Sequence, residues 1–559
     1  MCRQSRVRPI RVVASRNCRL RPPDPHVQTA WRKRREAIIH STHYRVPHGV
    51  GGRIAEPAVV SGLVRNRIDG GCVPTCRIRY DTELWTIYPG GSWAQSIEGA
   101  VFPRETGLAH RTTKAQLATR ECETSLAEFV DALDAVFPPK QRHTAGSPAT
   151  TRYYAGFSER FVEDLLSRPD ALPSGTVLDP WMGSGTTVRV AHQLGHRAVG
   201  VDLNPAMVAV AKARLLSKGE EESATKALQL LMRTPTPRAR VSPEDPLLQW
   251  FEVATTRVLR GVACRALSVL DGMGLPPGSM RLIESLSAID AHVLSSVFLM
   301  VRRLLMPFIG SNPTWVKHAA NGSRQQASWS QLREALQRAS DDLLGEALEP
   351  IARTADVELR IGSSLSLPDA ANTADWAVSS PPYCTRIDYA VASRPELAVL
   401  GMHSGAQDAL RREMLGTTTV PRTVAVSPRE IGDEAASVLH AVSHHTAKAS
   451  ATYYRKWIAQ YYEGLARSLD QLSALDKLAI LVLVVQDSHY KEIRIDLAST
   501  MVEMCTMRGW ALAARRDFTV SKTKATINPG TRKYRKTFDA MESVLVLGRE
   551  PSRKDGGAK

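Results

Sequence analysis

Thr176-Val-Leu-Asp-Pro-Trp-Met-Gly-Ser-Gly-Thr-Thr187 runs from a β-type segment into a glycine turn and on into the helix-like sequence from Thr187 to Leu194. A strand, glycine turn and helix in this order let backbone approach a nucleotide-like ligand, because a Cβ at Gly183 or Gly185 would block it. Asp179 falls at the carboxyl end of the strand, where open α/β sheets bind ligands. A second strand-like run, Arg197 to Val201, ends at Asp202, the usual offset for a carboxylate that bonds ribose hydroxyls. The stretch therefore predicts an α/β, doubly wound, Rossmann-like domain. Taken alone it also fits the glycine turn of a dinucleotide enzyme.

Further along, Trp376-Ala-Val-Ser379 reads as another buried strand and is followed directly by Ser380-Pro-Pro-Tyr383. Two prolines fix φ and remove two donors, so the turn is rigid and leaves its carbonyls to accept hydrogen bonds. Such a turn suits a planar NH2 group. A hydroxyl at Ser380 and the Pro381 carbonyl can accept both N–H hydrogens and favour a more tetrahedral nitrogen. Tyr383 adds an aromatic face for an extruded base. The neighbouring Cys384 reads as a small apolar residue.

Together the two strings resemble the S-adenosylmethionine-dependent amino-methyltransferases of DNA, over roughly residues 150 to 215 and 355 to 550. The resemblance implies a class I methyltransferase sheet with a helical insertion. It implies S-adenosylmethionine bound by Phe157, Asp179, Gly183, Ser184, Gly185, Thr186 and Asp202, with transfer at Ser380, Pro381, Pro382 and Tyr383. Phe157 lies in Arg152-Tyr-Tyr-Ala-Gly-Phe157, which looks like the segment closing over the methionine part of the cofactor; Ser158 as a helix N-cap, with Phe161, Leu165 and Leu166 on one face, is the other reading. Serine at the first motif position favours N4 of cytosine in duplex DNA, reached by base flipping. N6 of adenine, an RNA base, or an inactive nucleic-acid-binding protein stay as alternatives. DNA is the implied partner, and the resemblance admits a cognate restriction nuclease.

The chain departs from the family pattern in two places. Trp181 stands where many relatives carry Phe, and Ile361-Gly-Ser-Ser-Leu-Ser-Leu-Pro368 lacks the acidic residue that often contacts the adenine amino group, leaving Asp369 as the nearest substitute. The apolar run Leu478 to Val485, ending in Gln486-Asp487-Ser488, reads as the next core strand with a polar edge toward the site. It is far too short to span a membrane.

The remaining organisation follows from composition. The chain has 559 residues, 43% of them hydrophobic, and a net charge of +17, which favours a polyanionic partner. Eight cysteines in so long a chain do not make a disulfide scaffold, which points to a reducing cytoplasm. No metal site is expected, since Cys72 and Cys76 lack a second pair and His440, His444 and His445 sit in a polar helix-like stretch.

Residues 1–120 read as a basic, weakly ordered arm, which also fits a nucleic-acid-binding arm or an upstream-extended translation start, and no secretory signal is apparent. Residues 121–215 form the cofactor half, 216–350 a helical insertion, 351–550 the catalytic half and 551–559 a tail. The insertion is a candidate for target recognition or a cap that shapes the base pocket. Its Ser328 to Leu348 stretch reads as an amphipathic helix, and Met300 to Met306 and Trp315 to His318 as phosphate contacts. After the motif, Arg386 and Arg394 are expected to pair with phosphates or with Asp388 and Glu396. Lys522, Lys524, Arg532, Lys533, Arg535 and Lys536 flank Asn528-Pro-Gly530 in a basic hairpin beside the site.

Overall fold

The structure is a computed structural model. It describes residues 126–139 in part, 157–167, 175–233, 238–268, 280–310, 315–320, 322–349, 355–385, 388–520 and 540–549, with the backbone of three strands between 64 and 87. Two compact units, 1–109 and 110–559, are separate in their contacts. In the first, β1 (Val64–Ile68), β2 (Gly71–Tyr80) and β3 (Glu83–Ile87) form an antiparallel sheet in the order β1-β2-β3. The sequence reading gave this region no regular structure. Its strands are separated by two-residue connections, and Pro74 and the arginines interrupt the apolar alternation within them.

In the second unit a seven-stranded sheet carries the architecture. Its strands are β4 (Thr176–Asp179), β5 (Arg197–Asp202), β6 (Val357–Ile361), β7 (Trp376–Ser379), β8 (Ile480–Gln486), β11 (Trp510–Val520) and β12 (Ala540–Arg549), with a small β9 (Ser488–Tyr490) and β10 (Ile493–Ile495) pair outside it. The order is β11-β12-β8-β7-β4-β5-β6. Strands β4 to β8 run parallel, while β12 is antiparallel to both β8 and β11. This is the sheet of class I methyltransferases, as the sequence predicts. The turn of the basic hairpin, between β11 and β12, lies outside the described residues.

The central strands are covered on both faces, which is why β8 reads as an apolar run, while the edge strands β6 and β11 carry charged residues and are less buried. Ile480, Val482 and Val484 of β8 point into one core, and Leu481, Leu483 and Val485 into the other. The first face is packed by α1 (Glu159–Leu166), α2 (Thr186–Gln193) and α3 (Pro205–Ala213), then by the insertion helices α4 (Glu221–Arg233), α5 (Val253–Ser268), α6 (Met280–Glu284), α7 (Ala288–Leu304) and α8 (Trp329–Leu344). After β7 come α9 (Tyr389–Ala392), α10 (Arg394–Val399) and α11 (Ser404–Glu413). The second face is packed by α12 (Pro428–His444), α13 (Arg455–Ser473) and α14 (Leu497–Thr506).

The insertion is built from well-marked helices. Ser287 caps α7 in a capping box with Asp290, and Ser328 caps α8 with Gln331, burying Leu332 and Leu336 as the apolar spacing predicts. Helix α7 is apolar almost all round, and it packs against α3, α8 and α10. The arginines read as phosphate contacts have other partners. Arg302 pairs with Glu396 at 2.6 Å and also donates to the Ala392 carbonyl, while Arg303 pairs with Asp342 at 2.5 Å. Asp388 in turn pairs with Arg411. Asp388 and Glu396 are thus paired with Arg411 and Arg302 of other elements rather than with Arg394. Arg394 lies 3.2 Å from His318 instead, and Arg386 lies outside the described residues.

The Arg302–Glu396 pair bolts the insertion to the segment that follows the Ser-Pro-Pro-Tyr turn. Glu396 is buried, so Glu396→Ala leaves a guanidinium with only partial access to water. The expected loss is about 2–4 kcal/mol in urea unfolding, below the cost for a fully buried pair because Arg302 keeps some solvent contact.

Candidate functional site

The site is built around the ends of β4, β5 and β7. After Asp179 the chain turns through Pro180 to Gly185 and enters α2. The Met182 N–H donates to the Val201 carbonyl at 3.0 Å, and the Gly183 N–H to the Asp202 carboxylate at 2.8 Å, which lays the turn across the end of β5. Gly183 has φ +53°, and the space a Cβ would enter is open. Gly185 has φ +81°, and a Cβ there would stand 2.7 Å from that of Ala211, so this glycine allows α2 to approach α3. The two glycines thus do different work: Gly183 leaves room for a ligand, Gly185 for a helix.

One cavity of about 490 Å³ gathers Gly183, Ser184 and Asp202 with Ser380, Pro381, Pro382 and Tyr383. Its walls are completed by Leu203 and Met207, by Gly362 to Leu365 after β6, and by Phe298 and Leu299 of α7. The other candidate residues lie off this wall. Asp179 is buried beneath it, accepting from the Ser379 hydroxyl at 2.5 Å and the Trp181 N–H at 3.2 Å. Thr186 sits in the first turn of α2, and Phe157 packs edge-on to Phe161 with centroids 5.5 Å apart. Ser158 caps α1 through the Phe161 N–H at 3.1 Å, in line with the helix-start reading. Asp369 is exposed and does not line the cavity, whereas Gly362 to Leu365 do.

Asp202 accepts from the Gly183 and Asn204 N–H groups, each at 2.8 Å. Burial pushes its carboxyl up to about 7, against the pull of those two bonds, and the nearby Asp179 adds to the rise. Asp179 itself is pushed up to about 6, again by burial first. Asn204, which sequence reading passed over, caps α3 through the Ala206 N–H and donates to the Ser393 hydroxyl at 2.6 Å, linking the segment after β5 to the segment after the Ser-Pro-Pro-Tyr turn. Its signal was present as Asn204-Pro205, an N-cap followed by proline at N1. Arg214 was also missed. It donates to the Ser184 carbonyl at 2.7 Å and pairs with Glu159, clamping the glycine turn between α1 and α3.

The Ser380 to Tyr383 turn is pinned from outside. Tyr461 donates to the Pro382 carbonyl at 2.8 Å and Ser488 to the Cys384 carbonyl at 2.6 Å, so the expectation of free carbonyls holds only in part. The Ser380 hydroxyl donates to that of Tyr383 at 3.3 Å, which donates to Glu542 at 3.2 Å. Cys384 is buried and its thiol is pushed far up by loss of water, which makes it inert. The polar end of β8 serves structure: Asp487 accepts from the Met541 N–H at 2.7 Å and pairs with Arg494 at 3.0 Å. Among the described residues no group of three or more His, Cys, Asp or Glu side chains could hold a metal, and no helix is long and apolar enough to cross a membrane. His440 and His444 are exposed, and His445 pairs with Glu492 at 2.9 Å.

Residues 84–213 match the model of the N6/N4 DNA methylase family, described as a DNA methylase. Members of this family use S-adenosylmethionine as methyl donor. The chain is 41% identical over 54 residues to the type II methyltransferase M.BsoBI of Geobacillus stearothermophilus, covering 10% of this chain and 11% of that protein. It is 46% identical over 91 residues to the type II methyltransferase M.SmaI of Serratia marcescens, covering 16% of this chain and 31% of that protein. The chain thus spans less than a third of the length of either curated relative. No solved structure matches it.

The cavity fits that donor: Gly183 leaves space where a Cβ would stand, and Asp202 offers a carboxylate for ribose hydroxyls. A carboxyl with a pKa near 7 must ionise to accept from two hydroxyls, so binding should release a proton below neutrality. Calorimetry is expected to give tighter S-adenosylmethionine binding at pH 8 than at pH 6. Asp202→Asn should bind weakly with no such pH dependence.

Proposed function

We propose that this chain transfers a methyl group from S-adenosylmethionine to an exocyclic amino nitrogen of a base in DNA, with N4 of cytosine the preferred target. The observation that carries the proposal is the shared cavity, in which the glycine turn and Asp202 form one wall and Ser380 to Tyr383 another.

The cofactor supplies an electrophilic methyl group on a sulfonium sulfur. The chain's own residues supply position and electrostatics. Asp202 takes the ribose hydroxyls, and Gly183 lets the turn approach the cofactor without a side chain between them. The Ser380 hydroxyl oxygen and the Pro381 carbonyl accept the two N–H hydrogens, turning the nitrogen lone pair out of conjugation and toward the methyl group. The ring of Tyr383 holds the extruded base by stacking. Phe298 and Leu299 of α7 close the cavity with apolar surface, which keeps water from the reacting atoms. No covalent adduct with the base is required, in keeping with an inert Cys384.

The preference for cytosine rests on serine at position 380. Incubation with labelled cofactor and DNA, followed by mass analysis of the nucleosides, is expected to return N4-methylcytosine; N6-methyladenine would reassign the base and keep the chemistry. Parallel incubation with RNA separates the two polymers. Ser380→Ala and Tyr383→Ala are each expected to lower transfer by about 10²-fold or more while leaving calorimetric cofactor affinity unchanged. Full activity in both variants would dismiss the catalytic assignment.

A further inference from the structure

Strand β12 begins Ala540-Met-Glu-Ser-Val-Leu-Val-Leu547, and strand alternation puts Glu542 on the same face as Val544 and Val546. Glu542 is only 3% exposed. A carboxyl among aliphatic strand residues is costly to bury, and stability alone favours a Val or Leu in its place. Its position is also tightly fixed. It is paired in register with Gln486, and next to it Met541 and Asp487 exchange two hydrogen bonds, Met541 N–H to the Asp487 carboxylate at 2.7 Å and Asp487 N–H to the Met541 carbonyl at 2.9 Å. From there Glu542 Oε1 accepts the Tyr383 hydroxyl at 3.2 Å, and the Tyr383 oxygen accepts the Ser380 hydroxyl at 3.3 Å. A chain of O–H groups thus runs from the cavity wall to a buried carboxyl, and every link donates away from the cavity.

We infer that Ser380, Tyr383 and Glu542 form a proton relay for the transfer step, with Glu542 as terminal acceptor acting through Tyr383. The inference rests on the methyl-transfer reading above. When the amino nitrogen attacks, the new N–C bond forms as the C–S bond breaks, with its electron pair staying on sulfur. The nitrogen then carries a positive charge and must lose one proton. That proton passes to Ser380 Oγ while the serine proton passes to Tyr383 and the tyrosine proton to Glu542 Oε1. The carboxylate becomes a carboxylic acid and returns its proton to water after the product leaves. Burial and the adjacent Glu542 hold the Tyr383 hydroxyl well above its usual pKa, so it conducts a proton without resting as a base. Tyr383 accordingly has two separable uses, its ring for stacking and its hydroxyl for conduction.

The test compares wild type, Tyr383→Phe, Glu542→Gln, Glu542→Asp and the Tyr383→Phe/Glu542→Gln double variant in single-turnover methyl transfer to DNA. Cofactor affinity is followed by calorimetry, and base extrusion by the fluorescence of 2-aminopurine at the target position. Tyr383→Phe and Glu542→Gln are each expected to lose about 10²-fold in transfer rate, and the double variant no more than either alone, because the links act in series. Glu542→Asp should recover part of the rate. Cofactor affinity, base extrusion and KM for DNA should stay at wild-type values in all variants. A Glu542→Gln rate within about threefold of wild type, losses that multiply in the double variant, or a matching loss of base extrusion would overturn the relay alone. A wild type that binds cofactor but methylates neither DNA nor RNA would overturn the functional reading and the relay with it.

Discussion

The Ser379 hydroxyl and the Asp179 carboxylate, 2.5 Å apart, join the ends of two neighbouring parallel strands, and both signature turns leave from that junction. Strand order reverses there: β4 continues to β5 and β6 on one side, while β7 and β8 lie on the other. Loops that leave a sheet at such a reversal part from each other and open a crevice at the carboxyl ends of the strands. Thr187 strengthens the junction by donating to the Val378 carbonyl at 3.2 Å. Asp179 therefore sets where the crevice opens without reaching into it. The cost of burying its carboxyl is offset by two donors, the Ser379 hydroxyl and the Trp181 backbone N–H.

The sheet was legible because its inner parallel strands are short, largely apolar and bounded by turn signals, and because β6 alternates apolar and charged residues. The Ser-Pro-Pro-Tyr turn and the glycine turn were legible because proline and glycine act on the backbone locally. Asp179 and Phe157 show where local reading stops. Both have the right type and the right place in the chain, but a carboxylate at a strand end can face the crevice or the neighbouring strand, and spacing does not decide between them. Arg302 and Arg303 make the same point, because their acidic partners are 94 and 39 residues away and the run itself resembles a phosphate contact. Glu542 and Tyr461 reach the Ser-Pro-Pro-Tyr turn from 159 and 79 residues away, on elements that read as ordinary core. Nothing in the neighbourhood of either residue marks it.

The insertion is part of the crevice. Helix α7 lies against α3, whose first turn follows Asp202, and it lends Phe298 and Leu299 to the cavity wall. Its end is tied through Arg302 to Glu396, in the helix α10 that follows the Ser-Pro-Pro-Tyr turn. One helix therefore touches the segments on both sides of the insertion at once. Substitutions on its inner face would alter both, so any work on target selection has to separate the outer surface of the insertion from this buried side.

The 200 residues between Asp179 and Ser379 also govern how the molecule is made. At about 5–20 residues per second, a ribosome finishes the first of these residues roughly 10–40 s before the second. For most of that interval only β4 and β5 exist, a two-strand fragment that is not stable by itself in water, because β6 follows only shortly before β7. The insertion helices emerge next and can cover one face of that fragment while it waits for β7. A segment that later roofs the crevice thus has an earlier use, shielding a half-built sheet from association with other nascent chains.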